Sequence, residues 1–156
     1  MILTEAKITE LLDRKSEMLG VIPKGTHASY YKDLFDIDYV WYCIVMGLGE
    51  NLTNSRKRSD KFGWRFDLTL KYLAELWFEQ NGRCALTNIL LDYEKGNLAS
   101  KNPFRTSVDR IDNNRGYVKG NVRLLTHWAN NAKSTWDDDT FKEFVVHANK
   151  KVVEHA

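Results

Sequence analysis

The sequence predicts an α+β chain in which helices flank one β-hairpin. Three observations carry this reading. Apolar residues recur at helical spacing in three separate stretches, 4–19, 70–77 and 141–152. Residues 107–111 and 117–125 instead alternate apolar with polar around Asn113, Asn114 and Gly116, the pattern of a hairpin and its turn. The 156 residues are 43% apolar and 12% aromatic, enough for the core of one ordinary domain with a helical extension.

Taken in order, the first helix places Ile8, Leu11, Leu12 and Leu19 near one face and stops at Gly20. Residues 21–29 read as a loop, with Pro23 and Gly25 as breakers. The longest apolar run, 39–48, fits a helix or a buried strand and is too short to cross a bilayer. Residues 54–65 leave the apolar pattern and read as a basic loop. It carries Arg56, Lys57, Arg58, Lys61 and Arg65, with Phe62 and Trp64 interleaved. A solvated charge run and a DNA contact are both compatible with it. This divides the chain into an N-terminal helical region, 1–66, and a second unit, 67–156.

In that second unit Asp67 or Thr69 can cap a helix built on Leu70, Leu73 and Trp77, and Asn81 with Gly82 can end it. A short strand and turn at 84–92 precedes a polar loop that reaches Pro103. The hairpin follows, then a helix over 126–133. The last helix is capped by the aspartates at 137–139. Phe141, Phe144, Val145, Ala148 and Val152 give it one apolar stripe.

Several classes are set aside. The first residues, MILTEAKITELLDRKSE, are charged where a secretory signal needs an apolar stretch, so an intracellular, cytoplasmic setting without a membrane partner is expected. Cys43 and Cys84 then read as free thiols. A net charge of +2 does not by itself suggest nucleic acid, so the distribution of charge has to be read locally.

The informative stretch is SVDRIDNNRGYVKGNVRLLTHWANNAK, from Ser107 to Lys133. Asp109 closes the first strand and Asn130 sits on the helix after the second, so two elements can bring a carboxylate and an amide oxygen together. Hard oxygen donors suit magnesium or manganese, which keep several waters and accept phosphate oxygens. Arg105, Arg110, Arg115, Lys119 and Arg123 lie close enough in sequence to hold backbone phosphates. Taken alone, Asp109 and Asn130 would better suit a turn-capping pair. Asp112 fits an Asx turn as well as it fits a metal site.

This stretch resembles the core of HNH endonucleases, the ββα-metal fold, in a phage and bacterial subgroup with a DRID signature. The upstream YLAELWFEQNGRCALTN is similar to the same subgroup. The resemblance covers roughly residues 68–133. It implies metal-dependent cleavage of DNA to 5′-phosphate and 3′-hydroxyl ends. Position by position it implies Asp109 and Asn130 as metal ligands, Asn121 as the brace of the hairpin loop, and Lys133 as a basic residue of the site.

Two positions depart from the family pattern. The residues matching its zinc-binding cysteines are Cys84, Thr87, Thr126 and Ala129, so no structural zinc is expected. Apolar packing from Trp128 and the last helix is expected to replace it. The family's general base, a histidine after the metal aspartate, is here Arg110, which cannot accept a proton near neutral pH. Arg110 is then expected to clamp the scissile phosphate. His127, three residues before Asn130, is either a substitute base or a rim histidine. The other readings are a DNA-binding module of the same fold with impaired catalysis, and a protein-binding partner. Recognition sequence and oligomeric state, a dimer included, stay open.

Overall fold

The computed structural model describes residues 3–24, 28–93 and 102–155. Among them are seven helices and one two-stranded antiparallel sheet, a mixed α+β arrangement.

The first apolar stretch forms two helices rather than one, α1 (Glu5–Asp13) and α2 (Lys15–Gly20). The break falls at Arg14, whose guanidinium is held by Glu10, Glu17 and Asp38. The change of direction buries Met18 completely and lets its carbonyl accept a 3.1 Å hydrogen bond from Trp41 Nε1. A further helix, α3 (Ala28–Ile37), follows where the sequence suggested the end of a loop. The remainder of that expected loop at 25–27 lies outside the described residues.

The apolar run at 39 is a helix, and it is far longer than the run itself: α4 spans Tyr39–Phe62. The expected basic loop is therefore corrected, because residues 54–62 are its last turns. Arg and Lys are good helix formers, and Ser55 and Ser59, one turn apart, supply the inward face there. Gly63 ends the helix in the left-handed region at φ 69°.

Asp38 starts α4. Its Oδ1 accepts from the Trp41 amide at 2.9 Å, while Oδ2 receives Lys7 at 2.7 Å and Arg14 at 3.1 Å. Burial pushes its carboxyl upward. The Lys7 and Trp41 hydrogen bonds and the charges of Lys7 and Arg14 outweigh that, so it sits below its ordinary value. Asp38→Ala is expected to cost about 2 kcal/mol in urea unfolding, a cap and a charged hydrogen bond together. Because the folded value is lowered, this contribution is fully present above about pH 4 and is lost as pH falls through the folded value. The wild-type and variant unfolding curves should accordingly converge in acid.

Helix α5 (Leu70–Glu79) is capped by Thr69, whose Oγ1 accepts from Tyr72 N at 3.1 Å. It is left through Asn81 and Gly82, both at positive φ. A Cβ on Gly82 would lie 2.7 Å from the Trp77 ring, so the turn and the close approach both require glycine. Trp41 of α4 meets Trp77 and Phe78 of α5 with centroids 5.5 and 5.0 Å apart. One continuous core runs from Ile8 through these rings to Leu124 and Ala129. The division at residue 66 thus separates sequence segments and not cores.

Strands β1 (Thr106–Arg110) and β2 (Val122–Thr126) pair with Asp109 opposite Arg123. The second strand is shorter than the alternation suggested, since 117–121 belong to the connecting loop and Tyr117 bridges to Phe66 instead. Residues 84–92 make only isolated bridges, Arg83 with Leu90 and Asp92 with Arg105. Helix α6 (His127–Lys133) follows β2 directly, and Thr126 Oγ1 caps it on Ala129 N at 3.3 Å.

In α7 (Asp138–His155) only part of the expected stripe is used. Phe141 is buried edge-on against Trp128 and Val145 packs beside it, but Phe144 and Val152 are exposed by 67% and 66%. The helix packs its first turns on α6, so the later members of the stripe meet no core. Among the described residues no helix is long and apolar enough to cross a membrane.

Candidate functional site

Successive residues of a strand point to opposite faces, and here that rule sorts the chemistry. Ser107 and Asp109 share one face of β1 with Arg123 and Leu125 across the pair. Helix α6 lies along that face. Its Asn130 Nδ2 donates to Ser107 Oγ at 2.7 Å and to Val108 O at 3.4 Å. One turn later Lys133 Nζ stands 3.8 Å from Asp109 Oδ1. The helix therefore lays Asn130 and Lys133 beside Ser107 and Asp109 in matching order.

Asp109 is 5% exposed and Lys133 only 1%. Asp109 Oδ2 accepts from Arg123 Nε at 3.0 Å, and Arg123 turns both terminal nitrogens to Asp138 at 2.6 Å each. Burial raises the Asp109 carboxyl above its ordinary value, and the charges of Lys133 and Arg123 only partly offset it. Arg123 holds Asp138 below the ordinary carboxylate range against a smaller opposing effect of burial. The four side chains form a neutral network with Arg123 at its centre.

The oxygen donors in reach are a carboxylate and an amide. Asp109 Oδ1 has only the long approach of Lys133, and the Asn130 carbonyl oxygen takes no part in the bonds made by its nitrogen. Such donors fit one hard divalent cation that retains most of its waters. Among the described residues no three His, Cys, Asp or Glu side chains gather as a metal-holding group.

Asn121 is 1% exposed and works on backbone alone. Its Nδ2 donates to Asp112 O and Gly116 O, and its Oδ1 accepts from Asp112 N, which ties the two sides of the loop. Asp112 Oδ1 accepts from Asn114 N two residues on, an Asx turn.

Arg110 has another occupation than the expected phosphate clamp. Its guanidinium lies 3.7 Å above the Trp64 ring and 5.5 Å from that of Tyr117, and Nη1 donates to Asn113 O and Arg115 O at 3.0 Å each. Strand alternation puts it on the face away from Asp109. The expectation that Arg110 stands beside Asp109 at a metal is replaced by a strut between the loop and the end of α4.

That same contact unites two groups of basic residues that are distant in sequence. Arg56 lies over Phe66, and Arg58 reaches Tyr117 Oη at 3.5 Å, beside Arg110. Lys57, Arg115 and Lys119 are exposed. Arg105 is half-buried, with Nη2 3.4 Å from both ring nitrogens of His127. Burial, then Arg105 and Arg58, lower the His127 pKa, so its imidazole is neutral near pH 7.

The four positions that would hold zinc are joined by hydrogen bonds. Thr126 Oγ1 donates to Cys84 Sγ at 3.9 Å and accepts from Ala129 N. Burial opposes ionisation of the Cys84 thiol, yet hydrogen bonds from Thr87 and nearby backbone bring it below its ordinary value. Gln80 fastens the same turn to β2 through Leu124 O and Leu124 N, at 2.8 and 2.9 Å. Polar links thus join these positions, while Trp128 is 46% exposed and packs edge-on against Phe141.

Ser107 and Asp138 are site members that the sequence did not reveal, and Trp64, singled out there beside the basic run, stacks on Arg110 instead. Asp138 had a signal only as a helix cap. Its pairing with Arg123 depends on where α7 starts relative to β2. The chain matches no family model, no curated protein and no solved structure.

Proposed function

We propose that the chain is a metal-dependent DNA endonuclease of the HNH type, with the β1–β2–α6 segment as its ββα core. The observation that carries this reading is the placement of Asn130 and Lys133 of α6 against Ser107 and Asp109 of β1. Asp109 and Asn130 would hold one magnesium or manganese ion, which supplies charge to stabilise the leaving oxygen of a phosphodiester. The basic residues gathered around Tyr117 bind the strand through its phosphates. Hydrolysis breaks the P–O3′ bond and leaves 5′-phosphate and 3′-hydroxyl ends. Neutral His127 is the side chain that can take the proton of the attacking water, and Arg110 holds the loop.

A second reading has its own observation. Asp109 is already paired with Arg123 and Lys133, and a satisfied ion network needs no metal. That favours a DNA-binding module of the same fold without cleavage.

Supercoiled plasmid separates the two. Purified protein is expected to nick or cut it with magnesium or manganese and not with chelator. Retarded migration by binding in both conditions, with no relaxed or linear product, would leave the binding module as the function.

A further inference from the structure

Between α4 and the start of β1 lies a cavity of about 100 Å³, whose walls include Asn54, Arg58, Arg105, Ser107 and His127. It is several times the ~10–15 Å³ that one ordered water requires. Its cationic groups make no ion pair among the described residues. Arg105 Nε is buried without a hydrogen-bond partner, a costly state for a charged donor. Its Nη2 contacts only the imidazole of His127. Arg58, exposed at the rim, makes one long bond to Tyr117. Neither guanidinium forms an ion pair among the described residues.

Two carboxylates also border the cavity, and among the described residues neither forms an ion pair with these arginines. Asp92 Oδ1 accepts from Tyr93 N at 2.8 Å and Oδ2 from Asn102 Nδ2 at 2.7 Å. Glu50 is exposed at the cavity's edge. Ser107 Oγ accepts from Asn130, which leaves its own proton to donate.

We propose that this cavity seats a phosphate group, with Arg105 and Arg58 as charged donors and Ser107 and Asn54 as neutral ones. Two guanidiniums and a hydroxyl lining one cavity are donor types that a tetrahedral anion takes. The phosphate comes either from within a nucleic-acid strand or from a free or terminal phosphate. In both cases it lies against Ser107, whose Oγ accepts from Asn130 Nδ2. The assignment goes beyond the nuclease reading, since it needs neither a metal nor cleavage.

The test is titration calorimetry of the full chain with inorganic phosphate in the presence of chelator, repeated with 5′-phosphorylated and unphosphorylated oligonucleotides of one sequence. Wild type is expected to bind phosphate. Arg105→Gln and Arg58→Gln should each weaken binding by about tenfold or more, the loss of one charged hydrogen bond. Arg105→Lys should recover part of it, and Lys150→Gln, exposed on α7, should leave it unchanged. If Arg105→Gln does not melt cooperatively, Arg58→Gln at the rim carries the comparison. Preference for the 5′-phosphorylated strand assigns a terminal phosphate. Equal binding of both strands, weakened equally by Arg58→Gln, assigns an internal one. No heat and no phosphate-induced rise in melting temperature for wild type would overturn the proposal, as would unchanged binding by the glutamine variants. Because the titration contains no divalent cation it is independent of cleavage, so a protein that binds phosphate here but fails to cut plasmid with magnesium keeps the cavity and loses only the nuclease reading.

Discussion

Asp109→Asn is expected to lower magnesium-dependent plasmid nicking by a factor on the order of a hundred or more, the scale set by loss of a metal ligand or transition-state charge. The substitution keeps the shape of the side chain and removes only its charge. It also leaves Arg123 with Asp138 alone and Lys133 buried without its partner, so a stability loss of about 1–3 kcal/mol accompanies it. Melting curves are therefore measured with activity, at a temperature where both proteins are folded. Asn130→Asp separates the two effects, because it keeps an oxygen donor on α6. It should retain activity and shift the magnesium dependence, whereas Asn130→Ala should lose nicking. Wild-type rates by Asp109→Asn would remove the site. Burial holds the metal-free Asp109 carboxyl above its ordinary value, so protons should compete with the ion and the magnesium needed for nicking should rise as pH falls.

The parts of the fold that could be read from sequence are those fixed by local chemistry. Thr69, Asn81 and Gly82 bound α5 because a hydroxyl cap and left-handed residues act within one turn. The hairpin was legible from its alternation, and α6 from the position of Thr126. The second half of α4 was not, because its inward face is made of Ser55 and Ser59 rather than apolar residues. A period search on hydrophobicity has no signal where small polar side chains allow close approach. The N-terminal break at Arg14 was hidden for a related reason: it serves Asp38 and Trp41, which are distant in sequence.

At the candidate site, Asp109 and Asn130 were singled out by the resemblance, their positions on successive elements being compatible with it, and in the structure Ser107 and Asp109 share the face along which α6 and Asn130 lie. Arg110 could have been placed from the same sequence. Strand alternation offers Arg110 the face away from Asp109, and its contacts with Trp64, Asn113 and Arg115 hold it there. Asp138 and Trp64 depend on how α7 and α4 return to the hairpin, and no local pattern encodes that.

Arg110→Ala is accordingly expected to act on stability first. The guanidinium gives two hydrogen bonds to loop carbonyls and covers the Trp64 ring. Losing them should cost about 2–4 kcal/mol, from charged hydrogen bonds and a cation–π contact together. The loop that Arg110 closes is also pinned from outside. A Cβ on Gly116 would stand 2.0 Å from the Arg65 carbonyl oxygen, and Asp67 N donates to Tyr117 O at 3.2 Å. Loosening either side frees the connection between α4 and α5, so Gly116→Ala should mimic Arg110→Ala in urea unfolding. Arg110→Lys should recover little, since lysine lacks the planar fork that spans two carbonyls and stacks on indole. Trp64→Leu should make Arg110→Ala less damaging, a coupling that a double-mutant cycle reads directly. A phosphate clamp makes the opposite forecast: nearly unchanged unfolding, a roughly hundredfold loss of nicking, and no coupling to Trp64. The contacts at Trp64, Asn113 and Arg115 favour the strut, because a guanidinium engaged on one side of the loop has to break those bonds before it can reach a phosphate on the other.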